Sequence, residues 1–171
     1  MKIIIFLSIL LFSINAQAQI DIFQSVRNND TIALKEYILA KKNIDTLNNQ
    51  RHSLLILAVY SNVTESVNIL LENKANTEIQ DKSGNSPLMG ASFKGYTKIA
   101  EQLLLNGANP NLVNYNNANA LFFAATFGHI EIASLLLKYG VDKNQLDNFK
   151  KSALDYALVQ NNKEMIKLLN Q

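Results

Sequence analysis

The sequence predicts an all-α solenoid of about five stacked helix-turn-helix repeats. Three observations predict it. Motifs recur at a spacing of 33 along a chain of 171 residues, so that Ala58, Ala91, Ala124 and Ala157 form one column and Leu70, Leu103, Leu136 and Leu169 another. Each copy opens on a capping residue and then an apolar run, as in Ser53-Leu54-Leu55-Ile56-Leu57-Ala58 and Ser86-Pro87-Leu88-Met89-Gly90-Ala91. Each copy also carries Asn or Gly where a first helix must stop, at Asn29, Asn62, Gly95, Gly128 and Asn161. A fixed period in this range is the mark of a stacked-repeat fold.

The elements follow in order. Residues 1–18 stand apart: Lys2, an apolar run from Ile3 to Ile14 broken by Ser8 and Ser13, then Ala16-Gln17-Ala18. This is the pattern of a secretory signal peptide cleaved after Ala18. The run of about 12 residues falls short of the roughly 20 that a membrane span needs. A mature chain of residues 19–171 is expected, divided into copies at about 20–47, 48–80, 81–113, 114–146 and 147–171. It should be exported, periplasmic or secreted, with no stable membrane anchor once the leader is removed.

The first copy opens at Asp21, a plausible N-cap, and serves as the leading cap of the stack. The internal copies open at Ser53, Ser86 and Asn119, and the last at Ser152. At each, a side-chain oxygen can accept an orphan backbone N–H of the helix start. Pro87 follows at the first helical position, where its missing N–H costs nothing. The Ala column lets successive helices approach closely. The Asn/Gly column closes the first helix in left-handed backbone, which these residues tolerate. A second helix of about nine residues follows, such as Lys98 to Asn106, with Ile99, Leu103 and Leu104 on one face. Gly107 and Gly140 close it; Lys41 and Lys74 stand there in earlier copies. An Asn-rich return, Asn109 to Asn117, leads to the next cap. The last copy ends within its second helix, where Asn162, Lys163, Glu164, Lys167 and Asn170 supply the polar face a terminal repeat needs.

The third copy carries the fullest motif: Ser86-Pro87-Leu88-Met89-Gly90-Ala91, Gly95-Tyr96, Leu103-Leu104 and Gly107-Ala108-Asn109. The fourth keeps Gly128-His129 and Leu135-Leu136-Leu137. This pattern resembles the ankyrin repeat, whose copies open on Thr-Pro-Leu-His-x-Ala, turn at Gly-His and end on Gly-Ala-Asp or Asn. The resemblance covers about residues 20–171. The chain departs from it in lacking histidine after the leucine, where Ile56, Met89, Phe122 and Asp155 stand, and in keeping one proline of the series.

The resemblance implies an ankyrin-repeat solenoid with β-hairpin-like finger loops, and a non-enzymatic protein-binding module whose concave face is built from first helices and fingers. Carried over by position, the first helices contribute Arg27, Tyr60-Ser61, Phe93-Lys94, Thr126-Phe127 and Val159-Gln160. The fingers contribute Asn49, Gln50, His52, Lys82, Ser83, Asn85, Tyr115, Asn116, Phe149 and Lys151. The expected partner-binding set is Tyr60, Phe93, Lys94, Phe127, Tyr115, Lys82, His52 and Phe149, an aromatic stripe flanked by lysines. One protein partner is expected, held as a scaffolded or protected envelope protein or as a toxin to be neutralised. The module itself is expected to be a monomer.

Composition narrows the alternatives. Sixteen basic and 14 acidic residues nearly cancel, and no basic block marks a nucleic-acid footprint. Cysteine is absent, so disulfides, thiolate metal sites and a cysteine nucleophile are excluded. Two histidines, His52 and His129, leave little for metal or general-base chemistry. No cofactor is expected. His129 falls in the turn column and reads as a packing residue. Glu65, Glu131 and Glu164 read as solvated charges at second-helix starts. Asn62-Val63-Thr64 forms a glycosylation sequon, but the turn column already accounts for Asn62. The rival reading is an enzyme with an unrecognised polar site on the solenoid, for which His52 is the one evident general base.

Overall fold

The computed structural model describes residues 21–171. The leader and its cleavage point lie outside the described residues. Among those described there are ten helices and no strand. They form five antiparallel pairs: α1 (Ile22–Arg27) with α2 (Thr31–Leu39), α3 (Leu54–Tyr60) with α4 (Thr64–Glu72), α5 (Pro87–Lys94) with α6 (Thr97–Leu105), α7 (Ala120–Phe127) with α8 (Ile130–Lys138), and α9 (Ala153–Val159) with α10 (Lys163–Leu169). First helices pack on first helices and second on second, so two rows run the length of the stack. No helix among the described residues is long and apolar enough to cross a membrane.

Helices of six to nine residues are marginal in water, and packing must hold them. The period supplies that packing. Ala58, Ala91, Ala124 and Ala157 have no exposed surface, nor do Leu70, Leu103 and Leu136. The first helices meet through alanine and lie closest together. The second helices meet through larger leucine and isoleucine side chains. The row of first helices, with the fingers, is the face that the resemblance implies is concave.

Every expected cap is made. Asp21, Ser53, Ser86, Asn119 and Ser152 each accept a backbone N–H from the first turn of their helix. The second helix of the third pair starts and ends one residue earlier than the Lys98–Asn106 expected, because Thr97 already takes helical backbone after Tyr96. The stop column is left-handed throughout, with φ of 55, 56, 76, 74 and 50° at Asn29, Asn62, Gly95, Gly128 and Asn161. Lys41 and Lys74 are left-handed as well, at 54 and 64°, in the positions that Gly107 and Gly140 hold later. Lysine accepts there a strain that glycine avoids.

The fingers are tighter than a β-hairpin. One antiparallel bridge is present, Leu47 to Ser53. Each finger is closed by a backbone bond, from the N–H of Asn48, Asp81, Asn114 and Asp147 to the carbonyl four residues on, and is locked by a side chain as well. Asn48, Asp81, Asn114 and Asp147 form a further column at the same period. In each, Oδ1 accepts the backbone N–H groups two and four residues on, at 2.8 to 3.1 Å. The turn then passes through left-handed Arg51, Gly84, Asn117 and Lys150. The sequence carried this column plainly; the Asn bias pointed to turns without revealing their register.

A second polar ladder runs behind it. Asp45 Oδ1 accepts the N–H of Asn76, Glu78 Oε1 that of Asn109, and Asn111 Oδ1 that of Asp142. Each bond ties the return loop of one repeat to the next. The later fingers are also stitched to each other. Tyr115 donates its N–H to Ser83 O, Asn148 to Asn116 O, and the Asn114 amide to Asn85 Oδ1.

Candidate binding face

The residues expected on the binding face divide into three kinds. Phe93 at the end of α5 and Phe127 at the end of α7 meet edge to face, centroids 4.7 Å apart. They remain 38% and 50% exposed. Phe123, one helical turn before Phe127, supports Phe93 at 6.4 Å with planes at 90°. Position alone had not singled out Phe123. Spacing would have found it, since Phe123 and Phe127 lie four apart on one helix face. Lys94 places its ammonium 5.3 Å from the centre of the Phe93 ring.

Tyr60 and His52 are less open than the stripe requires. Both are half-buried, and their rings pack together at 5.8 Å. The Tyr60 hydroxyl reaches Asp81 Oδ2 at 3.5 Å, and its ring lies on Gly90 of the next first helix. A Cβ at Gly90 would sit 3.2 Å from that ring, so the glycine makes room for the tyrosine. Burial, then the adjacent Asp81 carboxylate, pushes the Tyr60 hydroxyl up to about 12. Tyr60 is therefore a tie between repeats as well as a surface ring. The stripe is broken into a Tyr60–His52 pair and a Phe93–Phe123–Phe127 cluster, which share no ring contact.

The finger residues are the most exposed. Tyr115 is 65% and Phe149 75% accessible, and Lys82 is exposed on its finger. The Tyr115 ring lies over Gly84 of the preceding finger, where a Cβ would come within 2.7 Å.

Two hollows adjoin the rings of this face, beside a third of about 390 Å³ that Asp21, Arg27, Asn49 and Gln50 help to line. One, of about 370 Å³, is walled by Arg27, Gln50, His52, Tyr60, Phe93 and Lys94 among others. The second, of about 170 Å³, lies between Phe122, Phe123, Phe127, Phe149 and Tyr156. In its floor the Tyr156 hydroxyl donates to Asp147 Oδ2 at 2.6 Å. Desolvation raises the Asp147 pKa, but the bonds from Tyr156, Lys151 and Phe149 outweigh it and hold the carboxyl below its usual range. Those same bonds occupy both oxygens of Asp147. His129 lies at the turn: its Nε2 is 3.3 Å from Phe93 O, and its ring packs on Gly95. It joins two repeats, as the turn column implied. Among the described residues, no group of His, Asp and Glu has metal-binding geometry.

Residues 22–114 and 91–171 match the family model described as ankyrin repeats (3 copies). The chain belongs to the ankyrin repeat family. No curated protein matches it. Ankyrin repeats are protein–protein interaction modules, and the family is typically non-enzymatic. In this ankyrin stack, the fingers and first helices bring Phe93, Lys94 and Phe127 together. They set Tyr115, Phe149 and Lys82 along the finger edge and draw Tyr60 and His52 partly into the packing.

Proposed function

We propose that the protein is an exported, non-enzymatic module that grips one protein partner through its concave face. The observation that carries this reading is the Phe93–Phe127 pair. Two rings from successive repeats are held in fixed geometry yet stay 38% and 50% exposed. Rigid, partly exposed aromatics are favoured anchors in interfaces. Export is supported by the leader pattern of residues 1–18 and suits a chain without cysteine. The role is that of a monomeric scaffold or protector for an envelope protein, or of an immunity protein for a toxin. The identity of the neighbouring genes would separate the two roles.

The test uses the chain from Gln19 to Gln171 as bait in an envelope extract. Phe93→Ala should weaken capture by roughly 30-fold, the effect of losing about 2 kcal/mol at an interface centre. Lys82→Ala should cost less and act mainly through association rate. Folded Phe93→Ala and Phe127→Ala baits that both capture at full strength would refute the reading. Export is checked separately by amino-terminal sequencing, which should begin at Gln19.

A further inference from the structure

We infer that the occupant of the concave face is an extended acidic polypeptide segment carrying one apolar anchor side chain. This rests on the binding reading above and names its partner's chemistry. The two rows of the stack differ in charge. The fingers and first helices, with their caps, carry six basic residues, Arg27, Arg51, Lys82, Lys94, Lys150 and Lys151, against four acidic ones, Asp21, Asp81, Asp147 and Asp155. The second helices carry five basic and six acidic residues.

Of these four, Asp21 is exposed and shares a hollow with Arg27; the other three are committed. Asp81 and Asp147 are 6% and 4% exposed. Each spends Oδ1 on its own finger backbone and Oδ2 on a tyrosine hydroxyl. Asp155 Oδ2 accepts both the N–H and the hydroxyl of Ser152 at 2.7 Å. All six basic residues are exposed. A ligand therefore meets six exposed cations against the one exposed carboxylate of Asp21, although the whole chain is nearly neutral. A basic segment would meet net repulsion there.

The anchor follows from what lies between those charges. Residues 114–127 contain no charged side chain, and they contribute Phe122, Phe123 and Phe127 to the smaller hollow. The larger hollow, with Arg27 and Lys94 in its wall, suits an acidic side chain. The extended form follows from spacing. Packed helices lie about 8–10 Å apart, which is about three residues of extended chain. One strand laid along the groove can thus meet each repeat in turn.

The experiment measures fluorescence anisotropy of labelled peptides of about 12 residues, a length that spans about four repeats. The first peptide has Glu and Ser around one central Phe. In the second, Lys replaces every Glu. In the third, Ser replaces the Phe. Titrated with residues 19–171 at low salt, the first should bind at least about tenfold tighter than either other, one such step being a modest charge or anchor contribution. Its affinity should fall as salt screens the exposed charges. Arg27→Glu combined with Lys94→Glu should remove the preference for Glu over Lys. Phe127→Ala should remove the preference for Phe over Ser. Lys98→Glu combined with Lys138→Glu, on the outer row, should change neither.

Equal binding of the Lys peptide, equal binding of the Phe-free peptide, or no binding of any peptide overturns the inference. So does an oligothymidylate that displaces the first peptide as well as an unlabelled copy of it does, since the face would then read only polyanion charge. If partner capture is abolished by Phe93→Ala while the peptides fail, this inference falls alone. If capture ignores Phe93 and Phe127, the binding reading falls and takes this one with it.

Discussion

Gly95 offers the sharpest test of how the stack is held. It stands at φ 76°, and a Cβ there would lie 2.6 Å from His129 Cε1 and 2.8 Å from Nδ1. Gly107 is equally left-handed at φ 87°, but a Cβ there would meet nothing within 4 Å. Alanine at Gly107 therefore costs only backbone strain, about 1 kcal/mol. Alanine at Gly95 costs the same strain and also expels the His129 ring. That loses the ring's packing and its 3.3 Å bond to Phe93 O, roughly another 1–2 kcal/mol. For a chain of this size, each kcal/mol lowers the melting temperature by about 2–4 °C. Gly95→Ala should thus melt about 4–12 °C below wild type and Gly107→Ala about 2–4 °C below. The decisive assay is a double-mutant cycle in urea with His129→Ala, which removes the clash. The two changes should couple by at least about 1 kcal/mol. Equal costs at Gly95 and Gly107, or zero coupling, would mean that His129 does not wedge the repeats together.

Three further outcomes follow from the same contacts. Phe93→Ala should lower stability by about 1–2 kcal/mol, read by thermal melting, because it loses an edge-to-face partner while its surface is already part exposed; a global unfolding would make the ring core. Asp147 has a folded pKa below its ordinary value, so its stabilisation is complete above the ordinary carboxylate range and fades as pH falls through it toward the folded value. Asp147→Asn should keep the finger turn, as Asn48 and Asn114 do, and flatten the acid limb of a stability–pH curve. Tyr60 is the opposite case. Its folded pKa of about 12 lies above the ordinary 10, so its contribution holds below pH 10 and is lost as pH climbs toward 12; Tyr60→Phe should remove that alkaline loss in urea titrations.

The fold was legible because its demands recur. A residue that caps, turns or packs a helix must do so once per repeat, and a period of 33 lays those residues in columns. Hence Ser53, Ser86, Asn119 and Ser152 could be read as caps, and Asn62 and Gly95 as stops. The finger column is in the sequence too, but Asn48, Asp81, Asn114 and Asp147 alternate two residue types and so do not read as one. Asn and Asp are one type here, since each lends the same Oδ1 to the turn. The binding face was less legible. Position gives the side of the stack on which a side chain starts, but not whether the next repeat covers it. Tyr60 and Phe93 share a column, yet Gly90 opens a seat for Tyr60. Against Phe93 stand Phe123 and Phe127, rings that leave it partly in water.

The departures from the period carry the functional argument. At the column of Tyr60, Phe93, Thr126 and Val159 no backbone requirement fixes the residue, and the next column holds Ser61, Lys94, Phe127 and Gln160. Variation there is permitted by physics, whereas variation at Ala91 or Asn114 would open a cavity or strand a buried donor. The locked fingers add the second half of the argument. Asx bonds and finger-to-finger bonds fix Tyr115, Lys82 and Phe149 on their turns before any partner arrives. A face already ordered loses less entropy on binding, so fewer contacts suffice for a given affinity. Breaking one lock separates these effects. Asn114→Ala removes the acceptor for Asn116 and Ala118 N–H and frees the Tyr115 finger, while leaving Phe93 and Phe127 on their helices. Stability should fall by about 1–2 kcal/mol. Partner binding should weaken with a larger entropic penalty by calorimetry and an unchanged dependence on Phe93. An unaltered binding entropy would show that the finger plays no part in the grip.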